Sequence, residues 1–303
     1  MRKRVVLGLL LLGMVAWGQR AYIGNAGNST VAVVDLKEAR VLDTWGTFAQ
    51  PWSVAYGGGR VFVAEYVGRP DAPQPAGRVV VLSREGKVEG ILEGAHYPMG
   101  VAYAKGRVYV ASSAVDWTGS VRGKPEVLVY GPEGGKPVAR WAFPGDTLGY
   151  PQTVLPQEEG VWVATTWGLL VLMDGDAGRV KGVFALPGLL NPIRGLAGDG
   201  QGGLFLTGSR DGVGRLVHLS RDALRPGEGT QDVSRQGEVL AEGLPDPWGL
   251  ARVGSVLYFV TSTDRPGGTG PGGLWRLDLR EGKAERVMGL PTRYTLGLAV
   301  EGE

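Results

Sequence analysis

The chain has no cysteine, two histidines and three asparagines (Asn25, Asn28 and Asn191). Without cysteine there is no disulfide framework and no lipoprotein attachment site. Two isolated histidines, His96 and His218, exclude an ordinary zinc centre. Long helical stretches are also scarce, because 52 Gly and 19 Pro interrupt the 303 residues, more than helices tolerate. Between these breaks lie many short Val- and Leu-rich runs, the pattern of an all-β protein. All-β closed folds of this length are often single domains. The scarcity of Asn, with 24 Arg against 8 Lys, fits a thermophile's avoidance of labile residues. Codon bias in a GC-rich genome produces the same picture.

The first eighteen residues stand apart. Arg2, Lys3 and Arg4 precede an apolar run over residues 5–15, and Ala16 and Gly18 put small side chains where signal peptidase reads. This arrangement predicts a signal peptide over 1–18, cleaved before Gln19, and an exported domain over 19–303. The run is short for a permanent span, and an uncleaved anchor is the alternative. Cleavage removes three of the 32 basic residues, leaving 29 against 30 acidic ones. A nearly neutral surface argues against nucleic-acid or anionic-membrane partners, which need basic stripes.

The rest of the chain is organised around AYIGNAGNSTVAVVDLKEARVLDTW, residues 21–45, which holds three strand-like runs divided by Gly-Asn and Lys-Glu turns. A sheet so small leaves bare edges and needs a partner strand; the expected partner is the last apolar run, 296–300. The stretch resembles the repeat of the YVTN β-propeller family. Tyr22, Ile23, Gly24 and Asn25 stand at its first motif, with Gly24 replacing a threonine. Ser29, Thr30, Val31, Val33, Val34 and Asp35 stand at its second. Other repeats are looser and are similar to the NHL and senescence-marker-protein propellers.

Six runs, at 52–56, 99–103, 152–155, 194–197, 248–252 and 296–300, each open a unit, usually after Pro. A second run follows each, at 60–65, 107–112, 161–166, 204–207, 257–261 and 22–24. Third runs lie at 78–82, 126–130, 169–173, 215–219, 274–279 and 30–35, and fourth runs at 88–92, 138–143, 180–186, 238–242, 284–289 and 40–45. A period of roughly 40–55 residues suits four-stranded propeller blades. The expectation is one six-bladed β-propeller of four antiparallel strands per blade, its last blade closed by N- and C-terminal strands. A two-domain β-sandwich is the alternative, but it does not explain four strands recurring in one order.

The propeller resemblance implies that loops leading into the inner strands share a face with loops joining second to third strands, and that ligands bind there around the channel. The candidates on those loops are Trp52, Glu65, Tyr66, His96, Asp116, Trp117, Gln152, Trp167, Arg194, Arg210, Asp211, Trp248, Asp264 and Arg293. Aromatics and charges converging on one mouth suit a sugar, a peptide or an acidic small molecule. The ordinary account of each residue alone is a solvated loop, with Trp packed between blades.

A lactonase of the senescence-marker type would need a divalent metal held by acidic and Asn side chains at the strand starts. Trp52, Met99, Gln152, Arg194 and Trp248 stand there instead. Glu65, Asp116, Asp211 and Asp264 remain as oxygen donors on adjacent loops, so calcium stays open although no metal site is assigned. A quinone-dependent sugar dehydrogenase would want a catalytic base, for which His96 is the placed candidate. Asp174-Gly175-Asp176-Ala177-Gly178 lacks the distant Glu and flanking helices of a calcium loop and reads as a hairpin turn. In 131–137 Pro137 replaces the Ser/Thr of a phosphate loop. The favoured expectation is a monomeric, non-catalytic exported module that binds a small molecule or protein at one mouth; the alternative is a calcium-dependent lactonase-like hydrolase or a quinone-dependent dehydrogenase.

Overall fold

A computed structural model describes residues 19–66, 77–116 and 118–302. The expected signal segment, Trp117 and most of the loop after Tyr66 lie outside these residues. Six antiparallel sheets form six blades. Blade 1 contains Pro51–Gly57, Arg60–Glu65, Arg78–Ser83 and Val88–Leu92; blade 2 contains Pro98–Ala104, Arg107–Ser112, Glu126–Tyr130 and Ala139–Ala142. Blade 3 contains Pro151–Pro156, Val161–Thr165, Leu169–Met173 and Val180–Ala185; blade 4 contains Ile193–Gly198, Leu204–Arg210, Val213–Leu219 and Gly237–Leu244. Blade 5 runs through Pro247–Val253, Val256–Thr261, Gly273–Asp278 and Lys283–Gly289. Blade 6 joins Thr295–Val300 to Arg20–Asn25, Thr30–Asp35 and Arg40–Gly46. The inner strands adjoin one another around a closed ring.

Each junction between neighbouring blades holds its own hydrophobic cluster. Phe62, Val79 and Val81 of blade 1, for example, meet Val108, Val110 and Leu128 of blade 2. Tyr22, Val31 and Val33 of blade 6 meet Val54, Val61 and Val63 on the other side of blade 1. Middle strands are thus buried on both faces, which is why RVFVAE and RVVVLS are continuously apolar rather than alternating. Outer strands such as Arg40–Gly46 are largely exposed.

The ring closes as the sequence predicts. Tyr22 pairs with Ala299 and Ile23 with Leu298, so neither terminal strand is left as a bare edge. Gly24, the departure from the YVTN motif, has a steric cause: a Cβ there would stand 2.9 Å from the Pro51 carbonyl oxygen of the adjoining blade. Two features go beyond the sequence reading. A turn of helix spans Gly145–Leu148. Between the third and fourth strands of blade 4, Thr230–Asp232 pairs in parallel with Val180–Ala185, giving blade 3 a fifth strand. That segment carries Ala223, Leu224 and Val233 into the core between blades 3 and 4 and covers an otherwise open edge.

Candidate functional site

Every inner strand begins with an irregularity at the same place. In blade 1, Pro51 pairs with Glu65 and Ser53 with Ala64, leaving Trp52 outside the ladder. Met99, Gln152 and Arg194 are left out in the same way. Trp248, with Gly249, is left out in blade 5 and Leu296 in blade 6. A bulge bends its strand and re-aims the side chain it frees. Repeated six times, this device frees Trp52, Met99, Gln152, Arg194, Trp248 and Leu296, and all but Gln152 line the channel. Four of the strands are preceded by a non-glycine residue in the left-handed region: Gln50, Tyr97, Asp246 and Tyr294.

The position after each freed residue is small: Ser53, Gly100, Thr153, Gly195, Gly249 and Gly297. Inner strands approach so closely there that a Cβ on Gly297 would stand 2.9 Å from Ser53 Cα, and one on Gly100 would stand 2.7 Å from the Gln152 oxygen. Where a hydroxyl fits, it links neighbouring blades. Thr153 Oγ1 donates to the Arg194 carbonyl at 2.8 Å, and Ser53 Oγ accepts from Val101 N at 3.2 Å.

The channel is a cavity of about 510 Å³ whose mouth is lined by Trp52, Met99, Arg194, Trp248 and Leu296. Tyr56, Tyr103, Gln157 and Arg252 line its far end. Among the described residues lining it are two arginines and no carboxylate. An aromatic row crosses the mouth. Tyr97 lies 5.7 Å from Tyr66, Tyr66 lies 4.7 Å from Trp52, and Trp52 meets Trp248 edge-on at 5.6 Å, all between ring centroids. The Arg194 guanidinium carbon then sits 4.0 Å from the Trp248 ring centroid, a cation–π arrangement.

Asp246 anchors this end of the row. It accepts the Trp248 indole N–H at 3.0 Å and the Ser262 hydroxyl, and it pairs with Arg194 at 3.3 Å. Arg194 Nε is nevertheless buried with no hydrogen-bond partner. Burial lowers the Arg194 pKa below its ordinary value, with Asp246 acting in the opposite sense. Tyr66 donates to the Val115 carbonyl at 2.9 Å. Its phenol is pushed up to about 12, chiefly by burial, with the Asp116 charge adding to the shift.

The other sequence candidates stand around this row. Glu65 is buried, accepts Ala49 N–H at 3.0 Å and pairs with Arg78. Asp116 accepts from the Thr118 hydroxyl at 2.5 Å, Ser120 N–H at 3.0 Å and Arg122 Nε at 2.9 Å. These donors, the Thr118 hydroxyl foremost and Arg122 next, hold its carboxyl well below the usual range. Arg210 and Asp211 pair with each other at 2.8 Å. Asp264 accepts Gly270 N–H at 3.1 Å within its own loop. Gln152 is buried and is not among the cavity-lining residues. His96 has its backbone N–H on Ser112 Oγ at 2.9 Å and its Nδ1 buried without a partner. Arg293 lies over Tyr294, 4.8 Å from the ring centroid. Trp167 is 53% exposed, beside Gly149. Among the described residues no three His, Cys, Asp or Glu side chains converge as metal ligands. The Asp174 loop is a hairpin turn in which Oδ1 accepts the N–H groups of Asp176 and Ala177.

Trp52, Tyr66, Arg194 and Trp248 are therefore brought together, whereas Glu65, Asp116, Asp211 and Asp264 engage separate local partners. Tyr97 and Asp246, on the loops that the sequence reading placed at this face, complete the mouth with Leu296, which was not among the sequence candidates. The signal for Leu296 was present in the repeated strand starts PWSVA, PMGVA, PQTVL, IRGLA, PWGLA and TLGLA. The second position is the freed residue and the third is the small one, so aligning the six starts finds Leu296.

No family model matches the chain, and no curated protein matches it. Solved structures do. A chain from the crystal structure of a nidogen/laminin complex superposes with a TM-score of 0.64 at 15% identity, covering 93% of this chain and 98% of that one. A protein of unknown function from Bacteroides caccae superposes with a TM-score of 0.68 at 12% identity, covering 95% of this chain and 100% of that one. At these identities the likeness concerns architecture alone: the chain is a six-bladed β-propeller.

Proposed function

We propose that the protein is an exported, non-catalytic binding propeller of the YVTN/NHL kind that holds a small molecule or a protein at the mouth of its channel. The observation that carries this reading is the ring of bulges. Each inner strand frees a residue from the ladder at its start, five of these six line the cavity, and the result is an aromatic row ending in a half-buried arginine. Nearby carboxylates are meanwhile engaged by the protein itself, Glu65 by Arg78 and Asp116 by Arg122. A rigid scaffold with specialised loops is a usual basis for recognition. The nidogen propeller comes from a complex with laminin, which accords with a binding role for the architecture.

The test is ligand-observed NMR with a mixed set of neutral sugars, amines, carboxylates and short peptides, alongside lactone-hydrolysis and sugar-oxidation assays with calcium, pyrroloquinoline quinone or neither. The expected result is binding that is lost in Trp52→Ala and in Trp248→Ala, with no turnover. Cofactor-dependent turnover abolished by His96→Ala or Asp264→Ala would overturn the proposal in favour of the hydrolase or dehydrogenase.

A further inference from the structure

The geometry points to a ligand class for this mouth: a small monoanionic carboxylate with a flat apolar body, its carboxylate on Arg194 and its body against Trp52 and Trp248. This inference rests on the binding reading above and narrows it.

Four observations combine. First, the freed side chains lining the cavity comprise one cation, Arg194, and four apolar groups, Trp52, Met99, Trp248 and Leu296. That composition matches a ligand with one charged head and an apolar remainder. Second, the charge of the wall is one-sided. Arg194 stands at the mouth and Arg252 at the far end, and no carboxylate is among the described lining residues. In a narrow, low-dielectric channel such a wall favours anions.

Third, Arg194 retains hydrogen-bonding capacity. A guanidinium carries five N–H donors and no acceptor, and Arg194 pairs with Asp246 at 3.3 Å. Its Nε is buried and unpartnered, which costs free energy. A carboxylate is the group whose two oxygens match the guanidinium fork.

Fourth, Asp246 already offsets part of the arginine's charge, while its oxygens also take the Trp248 indole N–H and the Ser262 hydroxyl. One positive charge, partly compensated, suits a monoanion better than a dianionic phosphate. The cavity of about 510 Å³ lies within the range of small-molecule sites. The indoles of Trp52 and Trp248 are half-buried, so they keep surface for a flat ring to pack against.

The experiment is titration of the full chain, followed by tryptophan fluorescence and calorimetry, with sodium benzoate, benzamide, sodium acetate and sodium phosphate. Benzoate is expected to saturate the signal, with benzamide and acetate each at least about tenfold weaker, a loss of about 1.4 kcal/mol. Arg194→Met should weaken benzoate by at least about tenfold and benzamide by clearly less, and Arg194→Lys should restore part of the benzoate affinity. Trp52→Ala should weaken both benzoate and benzamide. Circular dichroism and thermal melts of each variant establish folding, and if Arg194→Met fails to fold, Arg194→Lys and the benzoate/benzamide ratio of the unaltered protein carry the test.

Benzamide binding as tightly as benzoate, phosphate competing equally with benzoate, or no benzoate saturation overturns the carboxylate assignment. Neutral sugars or peptides binding in a Trp52-dependent manner would then leave the broader binding reading standing. If no tested compound responds to Trp52→Ala or Trp248→Ala, both readings fall.

Discussion

Trp52 and Trp248 belong to blades 1 and 5, yet their rings meet edge-on 5.6 Å apart across the start of the blade 6 inner strand. Their strands are nearly 200 residues apart in sequence, so the contact exists only because the ring closes. An aromatic pair of this geometry is worth about 0.5–1.5 kcal/mol beyond its area. A double-mutant cycle of Trp52→Ala and Trp248→Ala by urea unfolding should return a coupling in that range. Strict additivity would show that the two rings do not support one another.

Gly297 tests the close approach of the inner strands. Gly297→Ala would set a Cβ 2.9 Å from both Ser53 Cα and Val54 N, backbone atoms that cannot swing away. The expected loss is about 1–3 kcal/mol. Gly46 has nothing within 4 Å of its would-be Cβ, so Gly46→Ala should change stability by less than about 0.5 kcal/mol. Equal effects at the two sites would contradict the packing account.

The end of the chain clasps the ring. Glu301 accepts the Tyr22 hydroxyl at 2.7 Å and takes Arg84 through both oxygens, at 2.7 and 2.6 Å. Glu301→Ala removes these bonds and should cost about 1–3 kcal/mol. Deleting residues 295–303 removes the clasp together with the inner strand of blade 6, exposing an edge and uncovering two inter-blade cores. The melting temperature should then collapse, and a truncated chain that melts with the intact one would refute closure as the source of stability.

Alkaline stability should report on buried phenols. The folded Tyr66 phenol is raised to about 12 from an ordinary 10.0. Below pH 10 both the folded and unfolded states keep the proton and the contribution is complete. Between about 10 and 12 the unfolded chain releases it first, so stability falls as pH rises, by up to about 1.4 kcal/mol per pH unit. Tyr22 and Tyr130 are raised by burial in the same direction. Tyr66→Phe should therefore make the decline shallower in that window, as read from urea midpoints across pH, whereas an unchanged slope would argue against a buried neutral phenol.

The proposed export has a direct test. Produced in a bacterial host with residues 1–18 attached, the protein is expected outside the cytoplasm with Gln19 at or near its N-terminus. N-terminal sequencing that returned Met1 from a membrane fraction would favour an anchor instead.

Fold and strand order were legible in the sequence because both rest on local chemistry. Runs such as RVFVAE and RVYVAS, punctuated by Gly and Pro, mark strands buried on both faces, and four such runs recurring six times specify a blade. Even the closure of Thr295–Val300 onto Arg20–Asn25 follows from a three-stranded remnant at one end and a lone strand at the other. The parallel strand Thr230–Asp232 was not legible, since TQD carries no apolar signal and is held by backbone pairing to a distant edge.

The mouth divides in the same way. Trp52, Arg194 and Trp248 were visible as residue types at equivalent strand starts. That they face one cavity was decided by the bulges, which depend on how each inner strand registers against its neighbour. Which charges are engaged and which are not was likewise a tertiary outcome. Glu65 meets Arg78 across a strand pair and Asp116 meets Arg122 within its own loop, while Arg194 reaches Asp246 from a strand about fifty residues away and keeps a buried donor unmet. Local pattern determines which segments pair as strands; the distances between side chains of different blades are set only when the sixth blade closes the ring.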